Sequence, residues 1–344
     1  MKWRSLWLFG AVAIASPALA DGLVDNANGY TLDAKGKLIR FTGLLIGKDG
    51  SVSKLLDRND KRPKTLDFSL DARGRTLIPG LIDPGTRLME TALAQMPREA
   101  NMQGRPLQPR ERDAAFARIQ PSFLARGITS VTDLATTTTD WNVYRRAGDA
   151  GNLRIRILSY AADLDTMTTV AGNRPTQWLY EGRLRMSGLS VANGPPLDDA
   201  RVRNLISRGA MDGFQVAVLP ADDVALEPSL AAIEEVAETY KGDRRWRLQV
   251  DTVVPPAERL THSGTLALRR TDESLANLAT YLPVRTRDAA RAAFAEATIG
   301  TLMPGAKADF LLFDRDVIAL PPAEAGQARL LETWVGGVRA WVSR

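Results

Sequence analysis

The groups in this chain with the best prospects of doing chemistry at neutral pH are carboxylates. Asp83, Asp133, Asp223 and Asp251 each stand at or near the end of a strand-like run, and Asp272 opens a helical one. If those strands share one rim, carboxylates about 5–10 Å apart can work as a metal-free acid/base pair, as in glycosidases. Asp272, Asp251 and Asp223 are then the catalytic candidates, and Asp83 with Arg87 is the candidate ligand-binding pair. The competing reading is that rim aspartates cap the following helices or pair with Arg87, Arg244 or Arg247. For Asp272, followed by Glu273 and Ser274, the cap is the stronger reading. The chain has one histidine and no cysteine. His262, in Thr261-His262-Ser263-Gly264, is expected at the surface, and no serine pairs with it convincingly enough for a nucleophilic triad. Thr136–Thr139 reads as a solvated loop or helix start. A catalytic metal needs several imidazoles or carboxylates aimed at one point, so no metal is expected.

The elements that must position these groups come in three blocks. From residue 21 to 76 the pattern is short and β-like: Gly22–Val24, Gly29–Leu32, Leu38–Phe41, Leu44–Ile46 and Val52–Leu56, separated by turn signals such as Lys48-Asp49-Gly50. From 77 to 298 strand-like and helix-like runs alternate, which argues for a parallel sheet built of βα units. Helical spacing runs over Gln108–Arg126, Asp140–Ala150, Leu197–Met211, Glu227–Lys241, Asp272–Tyr281 and Arg287–Thr298. Strands are expected at Gly127–Asp133, Leu153–Tyr160, Arg183–Asn193, Phe214–Leu219, Arg244–Asp251 and Thr265–Leu268. From 299 to 344 the β-like pattern returns, at Ala308–Asp314 and Thr333–Val338.

Leu77–Leu88 reads LIPGLIDPGTRL, an apolar run that reaches a polar rim at Asp83 and breaks at Pro84-Gly85. It resembles the IPGxIDxHxH signature of the metal-dependent amidohydrolase superfamily, in particular its family 3 branch. Further similarities are Gly127–Asp133 to GxTSVxD, Gln215–Ala225 to QVAVHAxGDxA with Asp223 and Ala225 matching, Arg244–Asp251 to RHRIEHA, and Gly300–Gly337 to the family's tail. The resemblance implies a TIM-like (β/α) barrel and a small composite β-sandwich built from both chain ends. It also implies a Zn or other divalent cofactor and hydrolysis of non-peptide carbon–nitrogen bonds, with Asp272 as the proton-shuttling residue. At the four histidine ligand positions this chain has Gly85, Arg87, Leu219 and Val250, and the carboxylated-lysine position falls at or near Ser190. No lysine occurs from Thr65 through Tyr240. Gly has no donor, and a guanidinium repels a cation. Leu219 and Val250 are expected to make the barrel mouth apolar, and Arg87 to neutralise Asp83, four positions away. One strand, where the family has two, follows His262, so the barrel is expected to be incomplete or distorted. Its 222 residues (77 to 298) fall short of the ~250 of a typical whole barrel.

The first 20 residues have a basic start (Lys2, Arg4), the apolar run Leu6–Ala15 and Ala18-Leu19-Ala20, the pattern of a cleaved secretory signal. Export to a bacterial periplasm is the expectation, with no membrane span after cleavage. Without Lys2 and Arg4 the formal charge falls by two, from +5 to +3, and basic residues are scattered, which argues against nucleic-acid binding. The expected function is a metal-free, non-catalytic relative of the amidohydrolases that keeps the scaffold for binding, with a small molecule at the barrel mouth or a protein partner. The rival is an active hydrolase that uses rim carboxylates and Arg87 in place of the metal. A third reading is a structural subunit for an active family enzyme, which an exposed apolar patch at the missing barrel unit would favour.

Overall fold

The computed structural model describes residues 22–96, 106–195, 198–250, 252–268 and 274–343. The residues expected to form a secretory signal, and Asp251 and Asp272, lie outside them. Seven parallel strands form the central sheet in chain order: β1 (Leu81–Thr86), β2 (Ile128–Thr136), β3 (Arg156–Ala161), β4 (Leu184–Asn193), β5 (Gln215–Pro220), β6 (Trp246–Gln249) and β7 (Thr265–Leu268). Helices follow the strands: α1 (Leu88–Ala94) and α2 (Pro109–Ala125), α3 (Thr138–Asp149), α4 (Leu164–Ala171), α5 (Asp199–Met211), α6 (Leu226–Thr239), α7 (Ala257–Ser263), then α8 (Leu278–Arg285) and α9 (Arg287–Ala292). The strands are buried on both faces, as expected of a parallel sheet covered by helices. Short polar caps start the helices. Thr137 and Asp140 form a reciprocal capping box on α3, and Asp163 and Asp198 accept from backbone N–H groups at the starts of α4 and α5.

The architecture is a TIM-like barrel that is nearly closed. Among the described residues β1 and β7 pair with no common neighbour. Helices α8 and α9 pack against β1. Alanines 289, 290, 293 and 295 pack with Ile82 and Leu158, and these short side chains let a helix approach the strands closely. Arg285, buried at the end of α8, donates from Nε to the Ile82 carbonyl at 3.2 Å, satisfying an acceptor on the open edge of β1. Substituting Arg285→Met should therefore cost about 1–3 kcal/mol through the orphaned carbonyl. A urea midpoint indistinguishable from the parent's would show that solvent serves that edge equally well.

The two chain ends do meet. Asn28–Leu32, Leu38–Phe41 and Thr76–Pro79 share a six-stranded sheet with Phe310–Phe313, Leu330–Val335 and Val338–Val342. A four-stranded sheet of Gly22–Asp25, Gly43–Ile46, Val52–Leu56 and Phe68–Asp71 packs on it through Val24, Phe41, Leu44, Leu77, Phe310 and Trp334. The run expected as one strand from Leu77 is two strands in different sheets. Thr76–Pro79 belongs to the sandwich, and β1 begins the barrel after Gly80. Gly80 is required there, because a Cβ would lie 2.3 Å from the Thr129 hydroxyl. Nor does β1 break at Pro84-Gly85. It runs on to Thr86 with an irregular register against β2.

Candidate functional site

Alternation along each strand decides what enters the barrel. On β2, Val131 joins the core between sheet and helices, while Leu134 packs inside with Tyr160, Ala217 and Leu219. Ser130 and Thr132 share the inward face of Leu134. Asp133 therefore points outward. Its carboxylate accepts from the Leu88 N–H at 3.0 Å, from Thr136 Oγ1 at 2.6 Å and from the Tyr144 hydroxyl at 2.8 Å. It ties β2 to the start of α1 and to α3, and burial pushes its carboxyl up. Asp133 thus does not cap the helix that follows its strand, which Thr137 and Asp140 start, but anchors α1 and α3 to β2.

The positions that the resemblance assigns to metal ligands scatter. Leu219 faces the interior, as expected. Val250 does not: it is buried with Trp246 and Leu248 in the outer core, and its N–H donates to the Leu268 carbonyl at 3.0 Å. The residue of this strand that reaches the mouth is Gln249. Arg87 is exposed and pairs with Glu90 at 3.3 Å, one turn along α1, instead of with Asp83. Asp83 is half-buried and accepts from the Gly85 N–H at 3.0 Å. Asp223 is exposed in the loop after β5. The expected gathering of rim carboxylates is thus not formed by Asp83, Asp133 and Asp223. His262 is a surface residue 3.9 Å from Glu238.

A cavity of about 330 Å³ opens at the mouth, on the side where β1 and β7 fail to meet. Asp83, Pro84, Gly85 and Thr86 line it from β1, Leu268 from β7, with Gln249, Leu134, Arg126 and Arg285. A neighbouring cavity of about 290 Å³ shares Arg126 and Arg285 and is otherwise largely apolar, with Leu81, Tyr281, Phe313 and Leu330. Arg126 stacks on the Phe123 ring at 5.0 Å.

The barrel interior itself holds a cation that the residue pattern did not single out. Arg247, on β6, is 1% exposed. Its Nη2 donates to the Pro84 carbonyl across the barrel, and its guanidinium lies 5.0 Å from the centre of the Tyr160 ring. Tyr160 covers Gly188, where a Cβ would fall 2.2 Å from the ring, and donates to Gln215 Oε1. Gln215 in turn donates to the Arg245 and Ala292 carbonyls at 2.6 and 2.7 Å. Ser190, near the position of the family's lysine, lies on the face of Gly188 with a buried hydroxyl that has no partner. The signal for Arg247 was present: Trp246, Leu248 and Val250 alternate with Arg247 and Gln249, a period of two that sends the polar pair to the opposite face.

These residues do not fit a divalent cation. Gly85, Arg87, Leu219 and Val250 offer no side-chain ligand, Ser190 only a neutral hydroxyl, and Arg247 places a fixed positive charge in the interior. Among the described residues no group of three or more His, Cys, Asp or Glu could hold a metal ion.

Residues 259–340 match the model of the amidohydrolase family. No curated protein matches the chain in sequence. Solved structures match over nearly all of it. An adenosine deaminase from Xanthomonas campestris with bound zinc superposes with a TM-score of 0.71 at 15% identity, covering 94% of this chain and 93% of that one. An uncharacterised metal-dependent hydrolase from Pyrococcus furiosus gives 0.69 at 14% identity, covering 87% and 100%. Atrazine chlorohydrolase from Arthrobacter aurescens, complexed with zinc, gives 0.68 at 15% identity, covering 92% and 94%. The chain thus carries amidohydrolase-family sequence over residues 259–340 and the fold of the metal-dependent amidohydrolases over nearly its whole length.

Proposed function

We propose that this protein is an amidohydrolase relative without a metal or hydrolytic activity, exported to the periplasm by its first 20 residues, which uses the barrel mouth to bind a small molecule. The observation that carries this reading is the interior charge. Where metal-dependent relatives need neutral or anionic donors converging on a cation, the described interior offers Arg247 and no carboxylate. A site that presents its own fixed cation repels a second one. The cavity beside β1 has the size of a small-ligand pocket, at the low end of the usual range of roughly 300–1,000 Å³. Val284 is the single exposed large apolar side chain on α8, and one exposed valine is ordinary for a monomer, which favours a ligand over a docked subunit at the gap.

Elemental analysis of the mature protein, purified from cells grown with added zinc, manganese and iron, tests the proposal. Substoichiometric metal that dialysis removes is the expected result. One tightly held equivalent of any of the three would overturn it.

A further inference from the structure

The barrel contains a buried guanidinium without a carboxylate. Arg156, as deeply buried as Arg247, is the control: it is satisfied by both oxygens of Asp309 and by the Gly182 and Glu181 carbonyls. Arg247 is equally buried, yet beyond the Pro84 carbonyl and the Tyr160 ring its Nε and Nη1 have no partner. Ser130 and Thr132, on the inward face of β2, and Ser190, on the inward face of β4, likewise hold buried hydroxyls without partners. Native interiors rarely leave charged N–H groups and several hydroxyls unsatisfied together. Guanidinium and hydroxyl donors are the kind that a carboxylate or phosphate accepts from, and its charge cancels that of the arginine.

Resting on the binding-protein reading above, we propose that the barrel interior is a site for a small oxyanion, a carboxylate or a phosphate group. The free N–H groups of Arg247 hold its charge, and the hydroxyls of Thr132 and Ser190 donate to its remaining oxygens. The mouth cavity is the route in. Pro84, Leu134 and Gln249 line it, and each touches or neighbours this set: Pro84 accepts from Arg247, while Leu134 and Gln249 lie two residues beyond Thr132 and Arg247 on the same strand faces. In charge the site is the inverse of a metal centre, with the cation supplied by the chain and the anion by the ligand.

Calorimetric titration of the dialysed full-length mature protein with acetate, inorganic phosphate and chloride tests this, with thermal melting in each salt as a second reading. The expected result is saturable binding of acetate or phosphate at one site per chain, with a rise in Tm, and the stronger of the two identifies the headgroup. Arg247→Gln should lose roughly tenfold or more in affinity, and Thr132→Val, which keeps the guanidinium, a smaller factor of about three to ten. No saturable binding, binding of chloride alone, or equal affinity in the parent and Arg247→Gln would each overturn the assignment. If Arg247→Gln does not fold, Thr132→Val decides, and unchanged affinity there counts against the site. The outcomes separate from those of the metal test: a bound metal defeats the binding-protein reading, whereas metal-free protein indifferent to oxyanions defeats this inference alone.

Discussion

Replacing Asp309 by alanine is expected to cost about 3–5 kcal/mol of folding stability, because it strands a buried guanidinium. Asp309 sits in the sandwich just before Phe310–Phe313, and Arg156 opens β3 of the barrel. Their side chains are 5% and 1% exposed and meet in two parallel bonds of 2.7 Å. The Gly336 N–H, from the turn before Val338–Val342, donates to the same carboxylate at 2.7 Å. One carboxylate thus joins the barrel to two parts of the sandwich. Breaking a buried bidentate pair of this kind from one side costs far more than breaking an exposed one, at about 0–1 kcal/mol. Removing one partner leaves the other charged and dry, whereas removing both need not. Asp309→Leu combined with Arg156→Met should recover much of the loss, which a double-mutant cycle in urea measures. A cost for Asp309→Ala within the exposed-pair range would refute the clamp.

Asp133→Ala should be the next most damaging change, at roughly 2–4 kcal/mol for the donors left without an acceptor. The N–H of Leu88 and the Tyr144 hydroxyl are both internal, and Thr136 loses its partner as well. Asp133→Asn keeps an acceptor, and the two hydroxyls can turn to accept from its amide, so it should cost much less near neutral pH. The pH dependence separates charge from geometry. Burial, opposed by those donors, raises the Asp133 carboxyl above its ordinary value of 3.8. The native state then holds the proton more tightly than the unfolded chain. The stability this contributes is complete below the unfolded value and is lost as pH rises through the folded one. Asp133→Asn should flatten that part of the curve. Asp25 and Glu234, held low by Arg62 and Arg259, act in the opposite sense: their contribution is present above the unfolded carboxylate range and is lost as pH falls through their lowered values. A parent and an Asp133→Asn curve that run parallel across the window above 3.8 would show that Asp133 does not titrate there.

Where the elements lie was largely legible from the residues. Leu38–Phe41, Val52–Leu56 and Thr265–Leu268 have the expected bounds, and α2, α3, α5 and α6 start and end within two residues of their periodic runs, whereas α8 begins at Leu278 instead of Asp272 and α9 ends at Ala292 instead of Thr298. Apolar period and turn chemistry act over a few neighbours, so they can be read locally. Several elements went unread, among them the helix Leu88–Ala94, the strand Val338–Val342 and three others. Phe68–Asp71 is an edge strand with alternating exposure and little apolar content. Leu164–Ala171 and Ala257–Ser263 are too short for a helical period to stand out.

What the residues determined by themselves is the donor inventory: a single histidine, no cysteine, and glycine, arginine, leucine and valine where imidazoles would be needed. That inventory holds whatever the fold. The side of the sheet each group faces was decided only by tertiary structure. Asp133 turns out to the helices, Val250 joins the outer core, Arg87 finds Glu90, and Arg247 turns in. The physical reason is strand geometry. Successive side chains alternate faces, so one residue of register, or one irregularity such as those of β1 against β2 and β3 against β4, reverses inside and outside. Register is set by contacts between strands far apart in the chain. The packing of an alanine-faced helix on Ile82 and Leu158 was beyond local reading for the same reason, since nothing within Arg287–Ala292 encodes the strands it meets.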